Sequence, residues 1–226
     1  MGMVLVSGGM DSLVCAAIAA KIHPQLYFLH LNYGQLTESK ELWCFQQIAD
    51  HYAVPDARRK IIDISFLKEI GGSSLTDQRL EVRTGGVVDS SIPNSYVPFR
   101  NTIILSLAVA WAEVVGVRKI YIGAVHEDSS GYPDCRPSYY RALNTLITEG
   151  TKAGSEGSGI EVITPVIDHS KDKIVKRGME LSAPFHLSWS CYKSGDFACG
   201  VCDSCLLRLR AFARAGVKDP IKYRVY

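Results

Sequence analysis

Short runs of apolar and β-branched residues alternate along this chain with segments whose apolar positions recur at helical spacing. The pattern predicts strands at residues 3–6, 26–31, 60–64 and 119–123, with a shorter fifth at 160–163. Helices are predicted at 10–22, 37–52, 100–115, 136–149 and 171–182. The 136–149 segment has Pro137 near its start, Tyr139, Leu143, Leu146 and Ile147 at helical spacing, and Gly150 as a stop. Mostly apolar strands separated by helices are what a buried parallel sheet requires, because crossover helices cover both of its faces. The expected fold is therefore α/β: a doubly wound, mainly parallel five-stranded sheet of Rossmann-like type.

Two stretches break the pattern. Residues 71–98 are rich in glycine and proline with little periodicity, and read as a lid, a binding loop or a disordered insertion. Residues 151–159 combine Gly, Ser and charge and read as a flexible surface loop. From residue 183 the chain changes to a cysteine-bearing loop followed by a basic amphipathic helix near 203–215. The predicted organisation is an α/β domain at 1–182 and a smaller C-terminal region at 183–226 packed on it.

Composition narrows the function. Of 226 residues, 47% are hydrophobic and 21% charged, a globular balance that excludes wholesale disorder. The net charge of +2 argues against stable nucleic-acid binding, although a local basic cleft stays compatible with it. The longest apolar run, 103–115, is interrupted by Ser106 and Glu113 and is too short to span a bilayer, so no membrane association is expected. Met1-Gly2-Met3-Val4 has no basic leader pattern, and a mature cytoplasmic protein is expected.

The first strand runs directly into Ser7-Gly8-Gly9-Met10-Asp11-Ser12 and a helix. Glycines let backbone amides approach a ligand closely, and the helix N-terminus adds partial positive charge. The construction suits a phosphate. It is neither a Walker A loop nor the G-x-G-x-x-G dinucleotide fingerprint. An ordinary glycine turn closing a βα unit is the competing reading. In this context the hexapeptide resembles the signature of the ATP pyrophosphatase (PP-loop) superfamily, which implies ATP bound for attack at its α-phosphate with release of pyrophosphate.

The chain has seven cysteines, of which Cys191, Cys199, Cys202 and Cys205 are clustered. An odd, clustered set points to metal chemistry in a reducing compartment rather than to a disulfide frame. Four thiolates in overlapping C-x2-C pairs suit one closed tetrahedral zinc site, with an iron–sulfur cluster, a disulfide or buried free thiols as the alternatives. No coordination position is left for water, so the zinc is assigned to folding. Cys15 and Cys44 lie among apolar residues and read as core, and Cys135 as a loop residue for which a nucleophilic role is conceivable.

Three further segments join these motifs: Val97-Pro98-Phe99-Arg100-Asn101, Asp128-Ser129-Ser130-Gly131-Tyr132-Pro133-Asp134-Cys135-Arg136, and Trp189-Ser190-Cys191-Tyr192. With the closing Asp219-Pro220-Ile221-Lys222-Tyr223, the set resembles the 7-cyano-7-deazaguanine synthases of queuosine precursor biosynthesis, from Ser7 to Tyr223. One departure is Phe99, where the resemblance calls for a small residue such as glycine.

The resemblance implies conversion of 7-carboxy-7-deazaguanine and ammonia to the 7-nitrile, with adenylation first of the carboxylate and then of the amide oxygen. It implies nucleotide binding by Val6, Ser7, Gly8, Gly9, Met10, Asp11 and Ser12, with Asp11 orienting the loop or binding Mg²⁺. Arg100 is the candidate for a phosphate or the substrate carboxylate, against a surface ion pair. Lys171 resembles the family's late phosphate-binding lysine. Asp134 is the candidate acceptor for a guanine-like edge, Arg136 for the substrate carboxylate, and Tyr132 for stacking. The expected partners are these small molecules and a second copy of the chain, as a homodimer. Met1-Gly2 offers no N-terminal cysteine for a fused glutaminase, so free ammonia or a separate donor protein is expected. A related enzyme stopping at the amide and a tRNA-modifying sulfur transferase are the alternatives.

Overall fold

In the computed structural model, residues 1–77, 79–80, 92–126, 132–193 and 195–224 are described. Five parallel strands form one sheet: β1 (Gly2–Leu5), β2 (Leu26–Asn32), β3 (Arg59–Asp63), β4 (Lys119–Tyr121) and β5 (Glu161–Ile163). Their order is β3-β2-β1-β4-β5, so the chain winds outward from β1 first to one side and then to the other. Met3 pairs with Tyr27 on one flank and with Ile120 on the other. The carboxyl ends of β1 and β4 thus form the switch point where open α/β sheets bind ligands.

The strand period of two divides the core. Val4, Val6 and Phe28 pack against α1 (Met10–Ile22), α2 (Glu38–His51), α7 (Lys171–Glu180) and α8 (Asp203–Ala215) through Leu13, Val14, Phe45, Ile174 and Phe212. Met3, Leu5, Leu29 and Ile120 pack on the other face with α4 (Arg100–Val115) and α5 (Pro137–Gly150) through Leu105, Ala108, Tyr140 and Leu143. Two short helices, α3 (Phe66–Ile70) and α6 (Lys152–Ser155), complete the set. No helix among the described residues is long and apolar enough to cross a membrane.

The doubly wound expectation holds, with differences in detail. β3 lies at the sheet edge and is largely exposed, so its apolar sequence does not mark a buried strand. Helix α7 ends at Glu180, two residues early, because Ser182 adopts a left-handed conformation (φ 54°) and Ala183 donates back to Gly178. Residues 151–159 are a packed turn around α6 rather than a flexible loop. The Thr151 hydroxyl accepts from Gly154 at 3.0 Å and donates to Ile147 at 2.7 Å, and buried Ala153 donates its N–H to Glu113 at 2.8 Å. Part of the 71–98 segment is equally tied down. Ser73, Ser74 and Thr76 are buried, and Ser74 donates its N–H to Asn94. Residues 78 and 81–91 of that expected lid lie outside the described residues.

Candidate active site and thiol centre

Between β1 and α1 the backbone turns at Gly8, with φ +84°. A Cβ there would stand 2.8 Å from the carbonyl oxygen of Glu41 and 2.9 Å from Cys44, so only glycine lets the turn lie this close to α2. The Gly9 N–H donates to the Ser7 hydroxyl, which donates to that of Ser12, which donates in turn to the Gly9 carbonyl at 2.9 Å. From the other side the segment after β4 presses in: a Cβ on Gly123 would come to 2.7 Å from the Ser12 nitrogen. The α1 N-terminus is thereby held open and aimed at the switch point, as anion binding requires.

Asp11 and Lys171, 160 positions apart, meet here with Nζ 2.6 Å from Oδ2. The other oxygen, Oδ1, is buried without a hydrogen-bond partner among the described residues. An orphaned carboxylate oxygen beside a helix N-terminus fits a hydrated Mg²⁺ and the phosphates it would accompany.

A cavity of about 340 Å³ opens over this turn, lined by Val6, Ser7, Gly9, Asp11, Ser12 and Lys171 together with Arg100 and Tyr132. The Arg100 guanidinium stacks over the Tyr33 ring at 5.1 Å and donates to its hydroxyl at 3.2 Å. Tyr132 shares a 2.7 Å hydrogen bond with Ser95 and lies against Tyr96. Gly8 and Met10 do not line the cavity; the Met10 side chain is in the core.

Asp134 is buried, and its carboxylate accepts the Asn101 N–H at 3.2 Å. Burial raises its pKa above the usual carboxylate range. Neither Asp134 nor the exposed Arg136 lines the cavity, whereas Cys135 and Asn101 do, joined by a contact at 3.6 Å. Residues 128–131 of the predicted substrate loop lie outside the described residues. Tyr33, Glu41, Asn101, Gly123 and Trp189 also reach the cavity and were not predicted from the sequence. Tyr33 could have been found, because it follows the carboxyl end of a strand adjacent to β1.

The four clustered cysteines converge as their spacing suggested, with all four Sγ atoms within 4.8 Å of one another and buried. Cys202 caps α8 and Cys205 lies in its first turn. Donation from the Cys202 and Cys205 thiols draws Cys191 down to about 3, and the N–H groups of Cys199 and Lys193 add to the effect. Cys202 N–H donates likewise to Cys199 Sγ at 3.4 Å. Anionic sulfur surrounded by N–H donors fits a thiolate-bound metal. All seven cysteines are free thiols, and Cys15 and Cys44 are buried core residues as predicted.

This centre is fastened to the turn above it. Trp189 donates its backbone N–H to the Gly8 carbonyl at 2.9 Å. Arg208, fully buried, pairs with Asp219 through Nε at 2.7 Å and Nη2 at 3.0 Å, and donates also to Ser188, Ser190 and Phe185. Tyr223 donates to the same carboxylate at 2.6 Å.

The model of the queuosine biosynthesis protein QueC matches residues 1–216. The chain belongs to the QueC family. Curated relatives named 7-cyano-7-deazaguanine synthase include those of Chlorobaculum parvum and Chlorobaculum tepidum, 57% and 56% identical over 223 residues, covering 99% of this chain and 96% of each relative. As a QueC family member the chain is an enzyme of the carbon–nitrogen bond-forming class. Among solved structures, the U34-tRNA thiolase NcsA from Methanococcus maripaludis is similar at TM-score 0.50 and 15% identity, covering 94% of this chain and 64% of that one. A 4-thiouridine synthetase in complex with RNA and ATP is similar at TM-score 0.51 and 17% identity, covering 80% and 40%. These two likenesses bear on the QueC chain's fold alone, which they share as a PP-loop architecture.

Proposed function

We propose that this QueC family enzyme converts 7-carboxy-7-deazaguanine and ammonia to 7-cyano-7-deazaguanine, consuming ATP in two adenylation steps at one site. The observation that carries the reading is the Asp11–Lys171 pair set against the Ser7–Ser12 turn at the floor of a cavity that also holds Arg100. A carboxylate is a poor electrophile. Transfer of AMP to it makes a good leaving group, and ammonia then gives the amide. Adenylation of the amide oxygen, with loss of two N–H protons and of AMP carrying the C–O electron pair, leaves the nitrile.

In this scheme the amides of Ser7, Gly8, Gly9 and Met10 and the hydroxyls of Ser7 and Ser12 hold the departing pyrophosphate. Lys171 stabilises negative charge beside it, and Asp11 Oδ1 would hold Mg²⁺ directly or through one of its waters, a cation that when bound would neutralise phosphate charge. Arg100 neutralises a phosphate or the substrate carboxylate, and Tyr132 stacks on the base. Asp134 accepts the N–H donors of the guanine-like edge once its carboxylate turns from the Asn101 N–H, and Arg136 neutralises the substrate carboxylate.

The thiol centre takes one structural zinc per chain, held by Cys191, Cys199, Cys202 and Cys205 within the 183–226 region. A cytoplasmic homodimer without membrane or stable nucleic-acid partner completes the reading. The test supplies purified protein with ATP, Mg²⁺, ammonium and the 7-carboxy compound and follows products by mass spectrometry. The nitrile is expected, with two AMP formed per nitrile. Amide alone would assign the chain to an enzyme that stops there. Neither product overturns the proposal and brings sulfur transfer to tRNA forward.

A further inference from the structure

A second, smaller cavity of about 110 Å³ adjoins the first and shares Tyr33, Glu41 and Trp189 with it. It is too small for a nucleotide or a deazapurine but admits molecules the size of water. Glu41 stands at the junction. Its Oε1 accepts the Thr37 hydroxyl at 2.5 Å and its Oε2 accepts the Gln35 amide at 3.1 Å, and both donors also line the small cavity. Two bonds fix the carboxylate but leave each oxygen another lone pair, in a place where burial makes an unused acceptor costly. Lys40 lies 4.7 Å over the Trp189 ring and Arg100 over that of Tyr33, so both aromatic walls already carry a cation. A neutral N–H donor suits such a site better than another cation.

We infer that the small cavity holds the ammonia consumed by the reaction, with Glu41 accepting its N–H bonds at the passage into the nucleotide cavity. This rests on the functional reading above, which requires a water-sized nitrogen nucleophile once per turnover, at the first adenylated intermediate.

Ammonium chloride titrations at fixed pH test it in two variants, Glu41→Gln and Leu75→Trp, the latter filling the small cavity from its opposite wall. Each variant that folds is expected to raise the half-saturating ammonium concentration about tenfold, the scale of one lost hydrogen bond to a charged group. The half-saturating ATP concentration should move by less than about twofold. An unchanged ammonium dependence, or an equal shift in ATP, overturns the inference while wild-type turnover leaves the functional reading standing. A wild-type enzyme with no ammonium-dependent product overturns that reading first.

Discussion

The backbone N–H of Trp189 rests on the carbonyl oxygen of Gly8, 2.9 Å away, so the loop leading to the thiol centre holds the turn at the floor of the larger cavity directly. The Ser7–Ser12 turn is anchored by three neighbours: α2 through the close approach at Gly8, the segment after β4 through Gly123, and the C-terminal region through Trp189.

Removal of the metal should consequently weaken nucleotide binding as well as folding. Chelator treatment, or Cys199→Ser, is expected to lower Tm and to abolish the stabilisation that ATP gives the intact protein. Differential scanning fluorimetry with and without ATP checks this, alongside metal analysis expected to find about one zinc per chain. A fully folded, metal-free preparation that binds ATP normally would refute it.

At Asp11 and Lys171 the expected losses are catalytic. Asp11→Ala should abolish pyrophosphate release while the circular dichroism spectrum stays native. Lys171→Met should lower kcat by about 10²-fold or more, the usual scale for losing a preorganised charge at developing negative charge. Pyrophosphate release assays on both variants decide the matter.

Phe99 precedes α4 in the left-handed region, at φ 57°, with its ring largely exposed. A side chain there costs about 1–2 kcal/mol relative to right-handed conformations. Glycine removes that strain but gives the unfolded chain more freedom, by about 0.4–1 kcal/mol. Phe99→Gly should therefore stabilise the protein by up to about 1 kcal/mol, read from urea unfolding.

Replacing Arg208 with Met would leave Asp219 buried with no cation. A loss of about 3–5 kcal/mol is expected in the same unfolding experiment. The double variant Arg208→Met/Asp219→Leu should recover part of it, because the uncompensated charge is gone.

His30 is almost wholly buried on β2, where Nδ1 meets the Val6 carbonyl at 2.8 Å. Burial lowers its pKa from the ordinary value near 6.5. Above that value both folded and unfolded states are neutral. Below it the unfolded state binds the proton first, so stability falls with falling pH until the folded pKa is reached. The slope contributed is at most about 1.4 kcal/mol per pH unit. Unfolding free energies at pH 7 and pH 5 should differ less in His30→Gln than in the wild type.

Local chemistry was legible in the sequence, and long-range assembly was not. The Ser7–Ser12 turn and the four cysteines are written in short spacings, and both occur where those spacings put them. Lys171 could be named only by resemblance, since the partner that explains it lies 160 residues away. Glu41 and Trp189 look like ordinary helix and loop residues, and only the strand order and the Gly8 contact bring them to the cavity. The 151–159 segment misled because Gly and Ser mark both mobile loops and tight packing. Here Gly154 is required, since a Cβ would fall 2.0 Å from the Thr148 carbonyl oxygen. β3 misled for a different reason: apolar residues at a sheet edge remain exposed.

The Arg208 hub also orders events during synthesis. Residues 7–12 emerge early, yet the group that holds Gly8 is residue 189, and the arginine that binds the carbonyl and hydroxyl groups before and after it is fixed by Asp219. The turn, early in the chain, therefore takes its final packing only when residues as late as Asp219 are in place.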